Sequence, residues 1–271
     1  MNIKEKVLRF WRSDNEKISI LRDILIALMA VLIVLLILWT YTGQWFAAPM
    51  VAIESGSMEH SNSPFGRLGT IDAGDMVLVQ KVYTDDDVTT HGGNYGGAMA
   101  ENGLQTYGDY GDVIIYKPLG AEDVSQIIHR AMTWVDVNTD GEETTYTIEE
   151  YGIYNETSIT VSQLGLRNSK PSWTHSGYLT KGDNNNIIDQ MSNICSQPVK
   201  LKWISGKARL EIPWLGTINL FFEDLFSSKN TVSNVHEDCL ICLGIVIVIL
   251  ISIPIILDIK DYIKEKKNRQ Q

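Results

Sequence analysis

The chain reads as a mainly β domain held between two membrane-spanning helices, and three observations predict that fold. Uncharged apolar runs lie near both ends, at 24–46 and 239–257. Between them, short β-branched runs follow turn signals again and again. No stretch in that interval shows the 3.6-residue periodicity of a long soluble helix.

The first run holds 23 residues, including ILIALMAVLIVLLILW. At 1.5 Å rise per residue it spans roughly 34 Å, enough to cross a bilayer. The second, CLICLGIVIVILISIPIIL, has 19 residues and spans about 28 Å, and Pro254 is tolerable near its end. The first run is too long for a signal-peptide core, and Ala47-Ala48 is followed at once by Pro49, a poor cleavage site, so it reads as a retained anchor. Residues 1–23 and 258–271 each carry a net charge of +2. The positive-inside tendency then puts both ends in the cytoplasm and residues 47–238 outside, in a multi-pass cell-membrane protein. The stretch KEKVLRFWR near the start fits an amphipathic surface helix or a plain solvated flank equally well.

The exposed interval is long enough for one sizeable core. Its predicted strands are MVLVQKV after Gly74-Asp75, VIIYKP after Gly111-Asp112, TWVDV and TTYTI on either side of Asp140-Gly141, and SITV at 158–161. Thr84 to Tyr110 is rich in Gly, Asp and Asn and reads as an exposed, mobile insertion. Asp136 to Gly141 matches the first half of a calcium loop, but Thr147 stands where the bidentate Glu belongs, so a hairpin turn is the expected reading. With 33 acidic against 23 basic residues and a net charge of -10, no basic nucleic-acid surface is expected. Three cysteines, Cys195, Cys239 and Cys242, are too few for a disulfide framework.

Just past the first run comes Glu54-Ser-Gly-Ser-Met-Glu-His60. A nucleophilic serine needs a base, and the base needs an orienting partner. Of the five histidines, His129 in Ile127-Ile-His-Arg130 has the strand context of a held general base. A lone buried histidine is more often a satisfied core imidazole. His60, three residues from Ser57, is the rival, but catalytic partners are normally joined by the fold and not by adjacency. His91 falls in the predicted insertion, and His236 abuts the second run. A third polar block runs from Tyr178 to Asp189, through Lys181-Gly-Asp-Asn-Asn185.

Taken in order, Ser55-Gly-Ser-Met58, Gly74-Asp-Met-Val-Leu-Val79, Gly111-Asp-Val-Ile-Ile115, His129-Arg130, Lys181 to Asn185 with Asp189, and Gly206-Lys-Ala208 before Ile212-Pro-Trp-Leu-Gly216 resemble the signal peptidase I family. The likeness is to its archaeal and endoplasmic-reticulum type, which has His where most bacterial enzymes have Lys. It covers residues from about 50 to 220 and departs in having His60 where the family usually has Pro. The resemblance implies a signal-peptidase-like β-rich fold, with Ser57 as nucleophile and His129 as general base. It implies Asp189 as the acid, supported by Asp183, although both stand at family positions and one loop could present either. Ser55 and the Ser57 N–H would then stabilise the oxyanion. Asp75 and Asp112 are left as turn residues.

What this implies is a membrane-bound serine endopeptidase that removes signal peptides from secreted precursors after small residues, with no metal or organic cofactor. Its implied partners are those signal peptides, the lipid bilayer and, for some members, other subunits of the secretion machinery. The competing expectations are an inactive membrane-anchored subunit of a secretion complex, and a protease of the same fold acting on pilin-like or surface-layer precursors.

Overall fold

A computed structural model describes residues 2–13, 15–92, 105–141, 143–227 and 229–268 of the chain. It divides into two compact units, Met1–Pro49 and Met50–Gln271.

The first unit is helical. Helix α1 (Ile3–Trp11) starts where the Asn2 N–H donates to Glu5 Oε2 at 3.3 Å, and α2 (Glu16–Thr42) starts where Asn15 Oδ1 accepts from the Lys17 N–H at 3.1 Å. Such caps satisfy donors that the first turn leaves open. Arg22 ties the two helices by donating to the Trp11 carbonyl at 2.9 Å. So the first flank does form a helix, and the apolar helix begins earlier than 24 and stops before 46. It is 27 residues long, or roughly 40 Å. None of its most apolar stretch is buried, which is the opposite of a soluble core helix.

The second unit is built on one antiparallel sheet of eight strands. In chain order the strands are β1 (Met50–Ala52), β2 (Met76–Gln80), β3 (Gln105–Thr106), β4 (Asp109–Tyr110), β5 (Val113–Tyr116), β6 (Ile127–Asp140), β7 (Glu143–Ile148), β8 (Ile153–Glu156), β9 (Ile159–Val161), β10 (Leu166–Ser169), β11 (Gly177–Lys181) and β12 (Ile204–Ile212). The large sheet runs β1-β2-β12-β5-β6-β7-β8, with β11 also on β6, while β3-β4 and β9-β10 form separate pairs. All the predicted strand segments are found. Asp140 pairs with Glu143 and Gly141 has φ +64°, so the 136–141 letters do make a hairpin.

Strand β5 lies between two cores. Its uninterrupted run VIIY is buried throughout, as expected of a strand packed on both faces. Side chains alternate, so Val113 and Ile115 join Ile53, Met58 and Val77 in one core, while Ile114 and Tyr116 join Ala131, Tyr178 and Val199 in another. The 14-residue β6 crosses both cores and pairs in turn with β5, β11 and β7.

Several expectations need correction. A helix that patterning did not reveal, α3 (Leu215–Ser227), follows β12; its sequence LGTINLFFEDLFS is apolar on more than one side, which blurs the period. The last helix, α4 (Glu237–Asn268), belongs to the same compact unit, and Cys239 in its first turn packs with Leu220 and Val235. The 84–110 segment is not simply an exposed insertion. Val88, Thr90 and His91 are buried, and the rest of that expectation, at 93–104, lies outside the described residues. Asp112 is more than a turn residue: it is buried, accepts from the Thr89 N–H at 3.0 Å and pairs with Lys207 at 3.0 Å. Asp75 likewise accepts from the backbone of Trp214 and Asp72, both at 2.9 Å, and burial pushes its carboxyl up to about 7.

Gly111 has φ +84°, and a Cβ there would lie 2.5 Å from the His91 backbone nitrogen. Gly111→Ala adds left-handed strain to a clash that only backbone movement relieves. We expect it to cost about 2 kcal/mol or more, read as a lower thermal midpoint of the detergent-solubilised chain.

Candidate functional site

His129 owes its position to strand pairing. It sits opposite Ile114 of β5, and Arg130 opposite both Val113 of β5 and Lys181 of β11. Successive strand side chains leave on opposite faces, so the two neighbours reach different partners. His129 is only 3% exposed and Arg130 not at all.

The imidazole joins a serine to a carboxylate. His129 Nε2 lies 3.0 Å from Ser57 Oγ, and Nδ1 lies 2.7 Å from Asp189 Oδ2. That oxygen also accepts from the Tyr116 hydroxyl at 2.8 Å and from Thr180 Oγ1 at 2.7 Å. An ionised carboxylate only accepts, so Nδ1 carries the proton and Nε2 is left to accept from Ser57. Asp189 is fully buried, and three donors converge on its Oδ2. Burial and the Asp189 charge both push the Tyr116 phenol far above its ordinary range, so it stays a donor at any working pH. Gln190 steadies Thr180 in turn, accepting from its N–H at 2.9 Å.

Ser57 is carried on a loop between two buried anchors, Ile53 and Met58. The neighbouring polar block clamps that loop: the Asn184 N–H donates to the Ser57 carbonyl at 2.9 Å, and Asn184 Nδ2 to the Gly56 carbonyl at 3.0 Å. Between them stands Gly182, where a Cβ would lie 2.6 Å from the Ser57 carbonyl oxygen and 2.9 Å from His129 Nε2. Only a residue with no side chain lets these elements meet. Ser55 is exposed, its hydroxyl 3.4 Å from Ser57 Oγ.

Of the two possible acids, Asp189 meets the imidazole and Asp183 does not. Asp183 accepts from Arg130 Nε at 2.8 Å and Nη2 at 2.5 Å, and from His60 Nε2 at 2.9 Å. Burial raises its carboxyl, but the Arg130 and His60 hydrogen bonds outweigh that and leave it below the ordinary value. The hydrogen bond to Asp183 raises His60 above 6.5, against a smaller opposing effect of burial. His60, the rival base, is therefore committed to Asp183 from the far side of the loop. His175 contacts Trp203 edge-on, and His236 pairs with Glu59 at 3.4 Å.

Ser57 and His129 open onto a cleft of about 680 Å³. The edge strand β1 and the segment from Ser125 to Ile128 line it, and Ile115 and Ile194 mix there with polar Glu54, Asn185 and Asn219. Tyr116, Thr180 and Asn184 hydrogen-bond to the candidate site, and reading the sequence did not single them out. Thr180 and Asn184 lay inside the polar block already singled out, whereas Tyr116 looked like any core tyrosine at the end of an apolar run. Among the described residues no group of three or more His, Cys, Asp or Glu side chains could hold a metal. No protein-family model matches the chain, and no curated protein matches it.

The His60–Asp183 pair should show in the pH dependence of stability. With His60 raised above its ordinary 6.5, its contribution is complete below that value and fades as pH climbs through the raised one. Asp183, lowered from 3.8, contributes above 3.8 and fails only in stronger acid. His60→Gln should therefore lower the thermal midpoint most near about pH 5 and least near about pH 9; a gap independent of pH would contradict the pairing.

Proposed function

We propose that the chain is a membrane-anchored serine endopeptidase whose reaction is acyl transfer to Ser57 followed by hydrolysis. The observation that carries this reading is the continuous line from the Ser57 hydroxyl through the His129 ring to Asp189, with both contacts at hydrogen-bond length. His129 takes the Ser57 proton as the hydroxyl attacks a peptide carbonyl, and returns it to the leaving amine. Asp189 holds the Nδ1–H tautomer and stabilises the imidazolium. The Ser57 N–H and Ser55 hydroxyl are the donors for the oxyanion, a role worth several kcal/mol in such sites.

The cleft supports an extended peptide as substrate. An edge strand offers unpaired backbone groups to which a substrate adds as a further strand. Side chains of such a strand alternate, so the first and third residues before the cut face the same wall. Small side chains at those positions follow from the family resemblance, with specificity coming from the exclusion of bulk. Ser57 lies fifteen residues beyond Thr42, where α2 ends, so it rises at most about 54 Å above the membrane even on an extended chain. A signal peptide whose apolar core is still in the bilayer leaves its scissile bond near the same surface. The substrate class is thus precursors with small residues before the cut, processed on the extracytoplasmic side.

Membranes carrying the full chain should release mature protein from a precursor with an A-x-A site. Ser57→Ala, His129→Ala and Asp189→Ala should each lose at least about a thousandfold in rate. Asp183→Asn, which disturbs the clamp without touching the proton line, should lose about 10- to 100-fold. Full activity in His129→Ala would end this assignment of the base. Activity confined to pilin-like or surface-layer precursors would keep the mechanism and replace the substrate.

A further inference from the structure

The end of the second unit carries an apolar surface that the sheet leaves uncovered. Along α3, Leu215, Ile218, Phe221, Phe222, Leu225 and Phe226 are exposed, Phe226 at 83%. They recur three and four residues apart and so form one stripe, while Gly216, Thr217 and Leu220 are buried on the other side. Contiguous exposed aromatic area of this kind marks a contact surface, unlike single apolar residues scattered on a soluble protein.

Its place in the fold indicates what covers it. Leu220 packs against Val235 and Cys239, fastening α3 to the first turn of α4. A second loop is fastened at the same level: the Gly66 N–H donates to Asp238 Oδ2 at 2.9 Å, and Trp214 Nε1 donates to the Gly66 carbonyl at 2.8 Å. That loop exposes Phe65 and Leu68, and Phe65 lines one hollow with Ile241 of α4. The uncharged run of α4 begins at Cys239, so these contacts lie within about one helical turn of the point where a spanning helix enters the acyl chains.

Resting on the reading of α4 as membrane-spanning, we propose that α3 and the 65–68 loop form a collar lying in the lipid interface around the base of α4. The attachment is apolar. Helix α3 carries Glu223 and Asp224 and no Lys or Arg, so it gains nothing from anionic headgroups. Asn219 of α3 lines the cleft together with Ser57. Because Asn219 belongs to the same helix as the apolar stripe, the collar sets the height of the cleft above the lipid.

The full chain in phosphatidylcholine nanodiscs, with a photoreactive benzoylphenylalanine replacing Phe222 or Phe226, tests this. Ile249 in α4 and Tyr154 in β8, both exposed, are the reference positions. Lipid adducts are expected at Phe222, Phe226 and Ile249 but not at Tyr154, with unchanged yield when part of the lipid is anionic. Lipid adducts at Ile249 alone, crosslinks from Phe222 to a second chain, or labelling that needs anionic lipid would overturn the collar and leave the spanning reading intact. Failure at Ile249 would remove both. Phe222→Ser combined with Phe226→Ser should slow cleavage of a membrane-inserted precursor about tenfold and leave cleavage of a short soluble peptide unchanged. Equal loss on both substrates would overturn the role in setting height.

Discussion

A guanidinium with no solvent exposure organises the region around the cleft. Arg130 cannot give up its charge, so its burial is tolerable only where acceptors surround it. It finds them in the Asp183 carboxylate and in the carbonyls of Tyr110 and Gly111, at 3.2 and 2.8 Å. These acceptors come from segments far apart in sequence. Satisfying one cation therefore draws the 109–111 turn and the 182–185 loop onto β6. With Arg130 fixed to its partners on one face, pleating directs His129 to the other. A one-residue slip in the pairing of β6 would exchange the two.

The polar groups at the cleft are held in two layers with different duties. Asp189 is buried and shared among three donors, which suits a hydrogen-bond acceptor held in one place. Asp183 holds the clamp from the other side of the loop, through His60 and Arg130, and its Asn184 neighbour grips the backbone around Ser57. The two carboxylates are six residues apart, yet their partners separate them completely. Position in a shared block says little about role; the donors that each finds say a great deal.

Much of this was legible in the sequence. Hydrophobic runs bounded by Gly-Asp turns marked β2 and β5, and the Asp140-Gly141 pair marked the β6–β7 hairpin, because those signals are local. Three polar blocks pointed to Ser57, His129 and the Asp183/Asp189 loop. What was not legible depended on distant partners. Asp112 looked like a turn residue until Lys207 and Arg209, on the far strand β12, came within 3.0 and 3.4 Å. His91 and Val88 are buried although their neighbours are Gly, Asp and Thr, since tertiary packing decides burial in so polar a stretch. Helix α3 escaped notice because its outward face is as apolar as its inward one, and periodicity needs contrast.

The open flank of β1 carries a cost. An unpaired strand edge is a template for any extended chain, including another copy of the same protein, and is where fibrils start. Here the template is three residues long and follows Pro49, which has no N–H to offer a ladder. A growing stack has too few rungs there to nucleate on. Brevity of this strand limits pairing between copies of the chain, and lengthening it would trade away that protection.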